Sequence, residues 1–101
     1  METTGVKTDR TERIRQIRDV AARTFQVEPE AVEAAASFEA DLGADSLLAV
    51  EYLVELERCF GISMELTELD RLMANLDEAY AAIAEIAGWS AEADDDTREG
   101  V

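Results

Sequence analysis

"DLGADSLLAVEYLVELERCFGI", residues 41–62, decides the fold. From Ser46 to Phe60 apolar residues recur at helical spacing, with Gly61 placed to end the run and Ile62 to fold back on its last turn. At about 100° per residue, Ala49, Leu53, Leu56 and Phe60 fall within an arc of roughly 60° and predict a core-facing stripe. Leu47, Val50 and Val54 form a second apolar group on another side of the same helix, beside Glu51 and Glu55. A globular helix needs only one such stripe, so the second is either covered by neighbouring chain or left exposed for a partner.

Outward from this helix the pattern is helical throughout. Upstream, Ile14, Ile17, Ala21 and Phe25 predict a first helix over residues 9–25. Pro29 then disfavours helix at Glu28 and can open a short helical turn in "EPEAVEAAA". Val27, Val32 and Phe38 are apolar anchors that would hold this long connection onto the core as an ordered loop. Downstream, residues 65–73 predict a short helix carrying Leu66, Leu69 and Leu72, with Thr67 or Met64 near its start. A last helix is predicted over 76–87, with Asn75 as N-cap, Gly88 as stop, and Leu76, Tyr80, Ile83 and Ile86 or Ala87 inward. Residues 1–8 are unpatterned and expected to be flexible. Residues 89–101 are expected to be a disordered acidic tail, with Trp89 able to pack on the preceding helix. No strand is predicted. The expected fold is a small all-α four-helix bundle, three longer helices and one short, with a long loop between the first and second.

The chain has 101 residues, enough for one core, and aromatic residues make up only 6%, so that core should be small and aliphatic. Twenty-four acidic residues against nine basic ones leave a formal net charge of -15. Such a field repels nucleic acid and anionic lipid, and favours partners with basic surfaces or simple solubility as a monomer. One cysteine, Cys59, rules out an internal disulfide. The expected setting is the reducing cytoplasm, since no run approaches the ~20 apolar residues of a membrane span. Cys59 itself is expected to be a small, mostly buried helix residue.

Ser46 stands where loop gives way to helix. The chain has no histidine, so the usual Ser-His-Asp and Cys-His devices are excluded and the serine has no evident base. No catalytic residue and no metal site is expected; "DLGADSLLAVE" lacks the ligand pattern of a calcium loop, and no phosphate-binding glycine loop occurs. A serine at a helix start is ordinarily an N-cap or first-turn residue. If Asp45 takes the cap, the Ser46 hydroxyl is free to face solvent, beside the unpaired N–H groups that welcome a phosphate. The position suits modification by another enzyme.

"DLGADSL" (41–47), followed by "VEYLVELERCFGI" (50–62) in an acidic helical pattern, resembles the acyl carrier proteins. The resemblance covers roughly Ile14 to Ala87, within a carrier domain of residues 9–88. It implies that Ser46 receives a covalent 4′-phosphopantetheine arm from coenzyme A through a magnesium-dependent phosphopantetheinyl transferase. It further implies that Asp45 helps present Ser46, and that the second helix is read by partners through Leu47, Val50, Glu51, Val54, Glu55 and Glu57. Those partners would be an acyltransferase or acyl-activating enzyme, a ketosynthase, or other biosynthetic enzymes with basic docking surfaces. The second apolar group is then exposed. Leu48, Arg58 and "GISMELTELDRL" depart from the fatty-acid carriers of the family, which usually have a polar or acidic residue at the first of these, an unbroken acidic run, and an Ile-Pro-Asp-acidic stretch. These departures favour polyketide or other specialised-metabolite assembly over fatty-acid synthesis, with an aminoacyl or peptidyl carrier as a further alternative. Outside the family, the competing readings are an acidic helical interaction module without an arm and a small carboxylate enzyme.

Overall fold

The computed structural model describes residues 9–89. The expected flexible start at 1–8 and the acidic stretch after Trp89 lie outside the described residues. The described chain is all-helical: α1 (Asp9–Phe25), α2 (Pro29–Ala34), α3 (Phe38–Leu42), α4 (Ser46–Phe60), a 3-10 turn (Leu66–Glu68) running into α5 (Leu69–Leu72), and α6 (Leu76–Ala87). Helices α1, α4 and α6 form the body, with α5 closing the space between α4 and α6.

α1 buries Ile17, Val20, Ala21, Ala22 and Phe25 and leaves Ile14 half-buried. Its end is made without glycine. Gln26 takes φ 60°, in the left-handed region, and the Val27 N–H reaches back to the Ala22 carbonyl at 3.0 Å. The connection to α4 is ordered, as its anchors predict: Val32 and Phe38 are fully buried and Val27 packs on the core. Pro29 opens α2, where its missing N–H costs nothing.

α3 is not foreseen by the sequence pattern. The Ser37 hydroxyl caps it by accepting from the Ala40 N–H at 3.2 Å. The Asp41 carboxylate accepts from the N–H groups of Ala36 and Ser37 at 2.7 and 3.2 Å, tying down the chain that enters the helix. The Phe38 N–H in turn donates to the carbonyls of Met73 and Ala74 at 3.0 and 3.2 Å, fastening the connection to the approach of α6. This short helix sets the position of the loop that delivers Asp45 and Ser46.

The predicted inner stripe of α4 is buried at Ala49, Leu53 and Leu56, and half-buried at Phe60. To it the structure adds Tyr52, fully buried among the rings of Phe25 (5.1 Å between centroids) and Phe38 (6.0 Å). Each such side chain contributes roughly 1.5–3 kcal/mol by burial, and each aromatic pair about 0.5–1.5 kcal/mol more.

On the downstream side the short helix predicted over 65–73 is the 3-10 turn Leu66–Glu68 running into α5. Leu72 is buried and Leu69 half-buried, but Leu66 is 64% exposed, because it opens the 3-10 turn ahead of the single helical turn that fits between α4 and α6. On α6, Tyr80 and Ile83 are buried and Leu76 half-buried; of Ile86 and Ala87 it is Ala87 that turns inward, while Ile86 lies at the surface. Trp89 packs edge-on against Phe60 at 5.0 Å and beside Tyr80 at 5.6 Å, under the Arg13 guanidinium at 4.2 Å. Arg71 of α5 grips Glu85 of α6 with two hydrogen bonds of 2.8 and 3.0 Å, and holds that carboxyl below the ordinary carboxylate range. Among the described residues no helix is long and apolar enough to cross a membrane.

Candidate functional site at the start of α4

Gly43, at φ 68°, ends α3, and Ala44 is buried behind it, so the chain turns sharply into α4. Asp45 is extended (φ -84°, ψ -174°), and its carboxylate oxygen accepts from the Leu48 N–H at 3.0 Å. Asp45 is therefore the N-cap, and Ser46 is the first helical residue, exposed to solvent. The cap frees the serine: its hydroxyl is not needed to satisfy the helix end.

The first turn of α4 contains no acidic residue, whereas those of α2, α3, α5 and α6 carry Glu30, Glu39 with Asp41, Asp70, and Asp77 with Glu78. The only carboxylate at this helix start is that of the Asp45 cap. A phosphate on the Ser46 oxygen fits this place: the hydroxyl is accessible, the neighbouring side chain Leu47 is 67% exposed and neutral, and the Asp45 carboxylate is engaged by the Leu48 N–H.

Of the other predicted partner-facing residues, Val50 (39% exposed) and Glu51 are open to solvent. Val54 is half-buried against the core, so the second apolar group is only partly exposed. Glu55 pairs with Arg58 at 3.1 Å. Glu57 turns toward the loop after α4, where its carboxylate accepts from the Met64 N–H at 2.7 Å. The structure thus gathers Asp45, Ser46, Leu47, Val50 and Glu51 on the open side of the helix and gives Glu57 a task in holding the chain. Val50, Glu51, Val54 and Glu55 also line one wall of an open groove; the other wall is Arg23, Thr24 and Gln26, from the end of α1.

Cys59 is exposed, not buried as expected, because it lies about 80° off the centre of the inner stripe. Partial burial pushes its thiol up, with Arg23 pulling the other way, so the thiol is not activated. Tyr52 is the functional-looking residue that the pattern left unassigned. Its hydroxyl is buried with no protein hydrogen-bond partner, and burial drives its ionisation far above the ordinary range. Its place, three residues after Ala49 and four before Leu56, was a sufficient signal of burial.

The described fold thus leaves an exposed serine at a capped helix start. Residues 15–83 match the family described as phosphopantetheine attachment site. An acyl carrier protein of Rubrobacter xylanophilus is 35% identical over 77 residues, covering 76% of this chain and 94% of that protein. One from Campylobacter curvus is 39% identical over 61 residues, 60% of this chain and 79% of its own length. The polyketide-8 synthase acyl carrier protein 1 of Streptomyces avermitilis is 31% identical over 85 residues, 84% of this chain and 96% of that protein.

These define a phosphopantetheine-attachment domain. The chain belongs to the acyl carrier protein family: it is a carrier rather than an enzyme, its prosthetic group is a covalently attached 4′-phosphopantetheine, and it works with a phosphopantetheinyl transferase and biosynthetic enzymes.

Proposed function

We propose that Ser46 is the attachment residue, and that the chain carries acyl intermediates as thioesters in polyketide or other specialised-metabolite assembly. The observation that carries the first half is the division of labour at the helix start: Asp45 caps, and Ser46 stands exposed beside the unpaired N–H groups of α4. The phosphate of the arm gains there from the helix dipole, an effect of about 0.3–1 kcal/mol at an exposed end. When bound, the arm supplies a terminal thiol that holds the acyl group. The chain supplies the rest: a hydroxyl whose proton goes to a base on the transferase, a fixed position for it, and a docking face. That face is Leu47, Val50 and Glu51, with Val54 and Glu55 at its edge and Asp45 at its head. Its mixture of exposed apolar surface and acid fits weak, salt-sensitive contact with basic surfaces. The carrier body spans residues 9–88.

The pathway half is supported by three features. Leu48 packs partly on the core where fatty-acid carriers usually present a polar or acidic residue. Arg58 neutralises Glu55 within the recognition helix. A carrier named for a polyketide synthase aligns over nearly its whole length. Fatty-acid synthesis and aminoacyl carriage are the competing assignments.

Incubation of the full chain with coenzyme A, magnesium and a broad-specificity phosphopantetheinyl transferase should add one arm by intact mass, and Ser46→Ala should add none. No addition to the folded protein, while a control carrier is modified, would leave only an arm-free interaction module. Cargo on protein isolated from its native host separates the pathways: an oxygen-rich chain supports the proposal, a saturated chain or an amino acid overturns its second half.

A further inference from the structure

Helix α1 carries five of the nine basic residues of the chain, and they are not used alike. Arg15 pairs with Glu12, and Arg18 with Asp19 and Glu33. Arg10 and Arg13, one turn apart, pair with no carboxylate among the described residues. Each lies instead over a ring, Arg10 at 4.7 Å from the centre of Tyr80 and Arg13 at 4.2 Å from that of Trp89. The two rings touch, 5.6 Å between centroids, and Trp89 is held further by Phe60 and by its N–H bond to the Ala84 carbonyl at 3.0 Å.

A ring attracts the charge of a guanidinium but does not replace the carboxylate oxygens that its N–H fork fits. The start of α1 therefore presents two cations, fixed in place by aromatic contact and still able to take an acid. The chain leaving Trp89 brings acids to this corner: Glu92, Asp94, Asp95 and Asp96 fall within five positions, the first of them three residues on. At about 3.3–3.6 Å per residue, three to seven residues span at most roughly 10–25 Å, so all four can reach the cations beside Trp89.

We propose that residues 92–96 fold back and dock on Arg10 and Arg13, closing the corner between the start of α1 and the end of α6. An isolated exposed ion pair contributes little. Here the acids are several, the cations are already oriented, and a short tether keeps the two at high effective concentration. Docked there, the stretch does not compete with Glu51 and Glu55 for the basic surfaces of partners. The inference does not depend on attachment at Ser46.

The test places a nitroxide spin label beside the acids, at Thr97→Cys in a Cys59→Ser background, and reads the broadening of backbone amides by NMR on the full chain. Cys59 is exposed, so its replacement leaves the core alone. The amides of Arg10 to Arg15 should broaden more than in the same labelled chain carrying Glu92→Gln, Asp94→Asn, Asp95→Asn and Asp96→Asn, which sets the level for an undocked tether. The excess should be lost at about 1 M salt, where the Debye length falls to about 3 Å, and in the chain carrying Arg10→Gln and Arg13→Gln. No excess over the neutral tether overturns the docking, as does an excess centred elsewhere on the fold or one that survives high salt. Broadening of an isotope-labelled chain by a separate spin-labelled one would assign the contact to a second copy and overturn self-docking. If the arginine variant fails to fold, the tether variant, whose changes lie outside the described fold, still decides.

Discussion

α4 and α6 are built by the same local rules and used differently. Each begins with a side chain that accepts from the third helical N–H, Asp45 to Leu48 at 3.0 Å and Asn75 to Glu78 at 2.9 Å. Each ends at a left-handed glycine, Gly61 at φ 65° and Gly88 at φ 72°. They part at the first turn. α6 follows its cap with Leu76, Asp77 and Glu78, so its dipole is complemented by its own carboxylates. α4 follows its cap with Ser46, Leu47 and Leu48, so the only carboxylate at its start is that of the Asp45 cap, where α6 has a neutral cap and two acids in the turn.

The two helices also carry the two tyrosines, and the largest expected effect separates them. Tyr52 on α4 has a buried hydroxyl with no protein partner, whereas Tyr80 on α6 has the Arg10 guanidinium 4.7 Å from its ring centre and Trp89 beside it, and is not an orphan. Tyr52→Phe should therefore stabilise the fold by about 1–2 kcal/mol, since an unsatisfied buried hydroxyl is removed while the ring stays. Thermal unfolding should show a rise of several degrees in Tm for a domain of this size. Tyr80→Phe should show no gain. A loss on Tyr52→Phe would mean that the hydroxyl is satisfied in solution.

Next in size is the pair of caps. Asp45→Ala and Asn75→Ala should each cost about 1 kcal/mol by denaturant unfolding, because each strands one helix N–H. Their effects on arm loading should differ: Asn75→Ala should load at the wild-type rate once folded, while Asp45→Ala should load more slowly, its serine no longer held at the head of a fixed turn. Equal loading by both would reduce Asp45 to a stability residue.

What could be read from sequence and what could not divides along the same line between local and distant causes. The bounds of α1, α4 and α6, the capping by Asn75, and the stops at Gly61 and Gly88 are set within a few residues of each other, and were legible, while the cap of α4 stayed open between Asp45 and Ser46. α3 was not: five residues are too few to show a period, and its Phe38 is held by carbonyls at Met73 and Ala74, more than thirty residues away. Gln26 in the left-handed region gives no sign in sequence, because the residue is not glycine. At the site, the register set Leu47 off the core stripe but left its exposure open until the family resemblance implied it, while the capture of Glu57 by the Met64 N–H depends on how the loop folds back. The register of Tyr52 points inward, against what its polar tip suggests on composition alone.

The smallest expected effect bears most directly on why α4 starts as it does. Leu47→Glu gives α4 the kind of first turn that α6 already has, and Leu47→Gln is the neutral control that loses the same apolar contact. The charged variant should be the more stable of the two by roughly 0.3–1 kcal/mol at low salt, because its carboxylate complements the dipole. It should also load more slowly, since the added charge meets the phosphates of coenzyme A at the serine, and both differences should shrink as salt is raised. Once the arm is attached, its phosphate and the new carboxylate compete for the same N–H groups, so the stability advantage should fall in the loaded protein. An advantage that survives loading unchanged would show that the phosphate does not sit on the helix end, and the absence of acid from this one first turn would then need another cause.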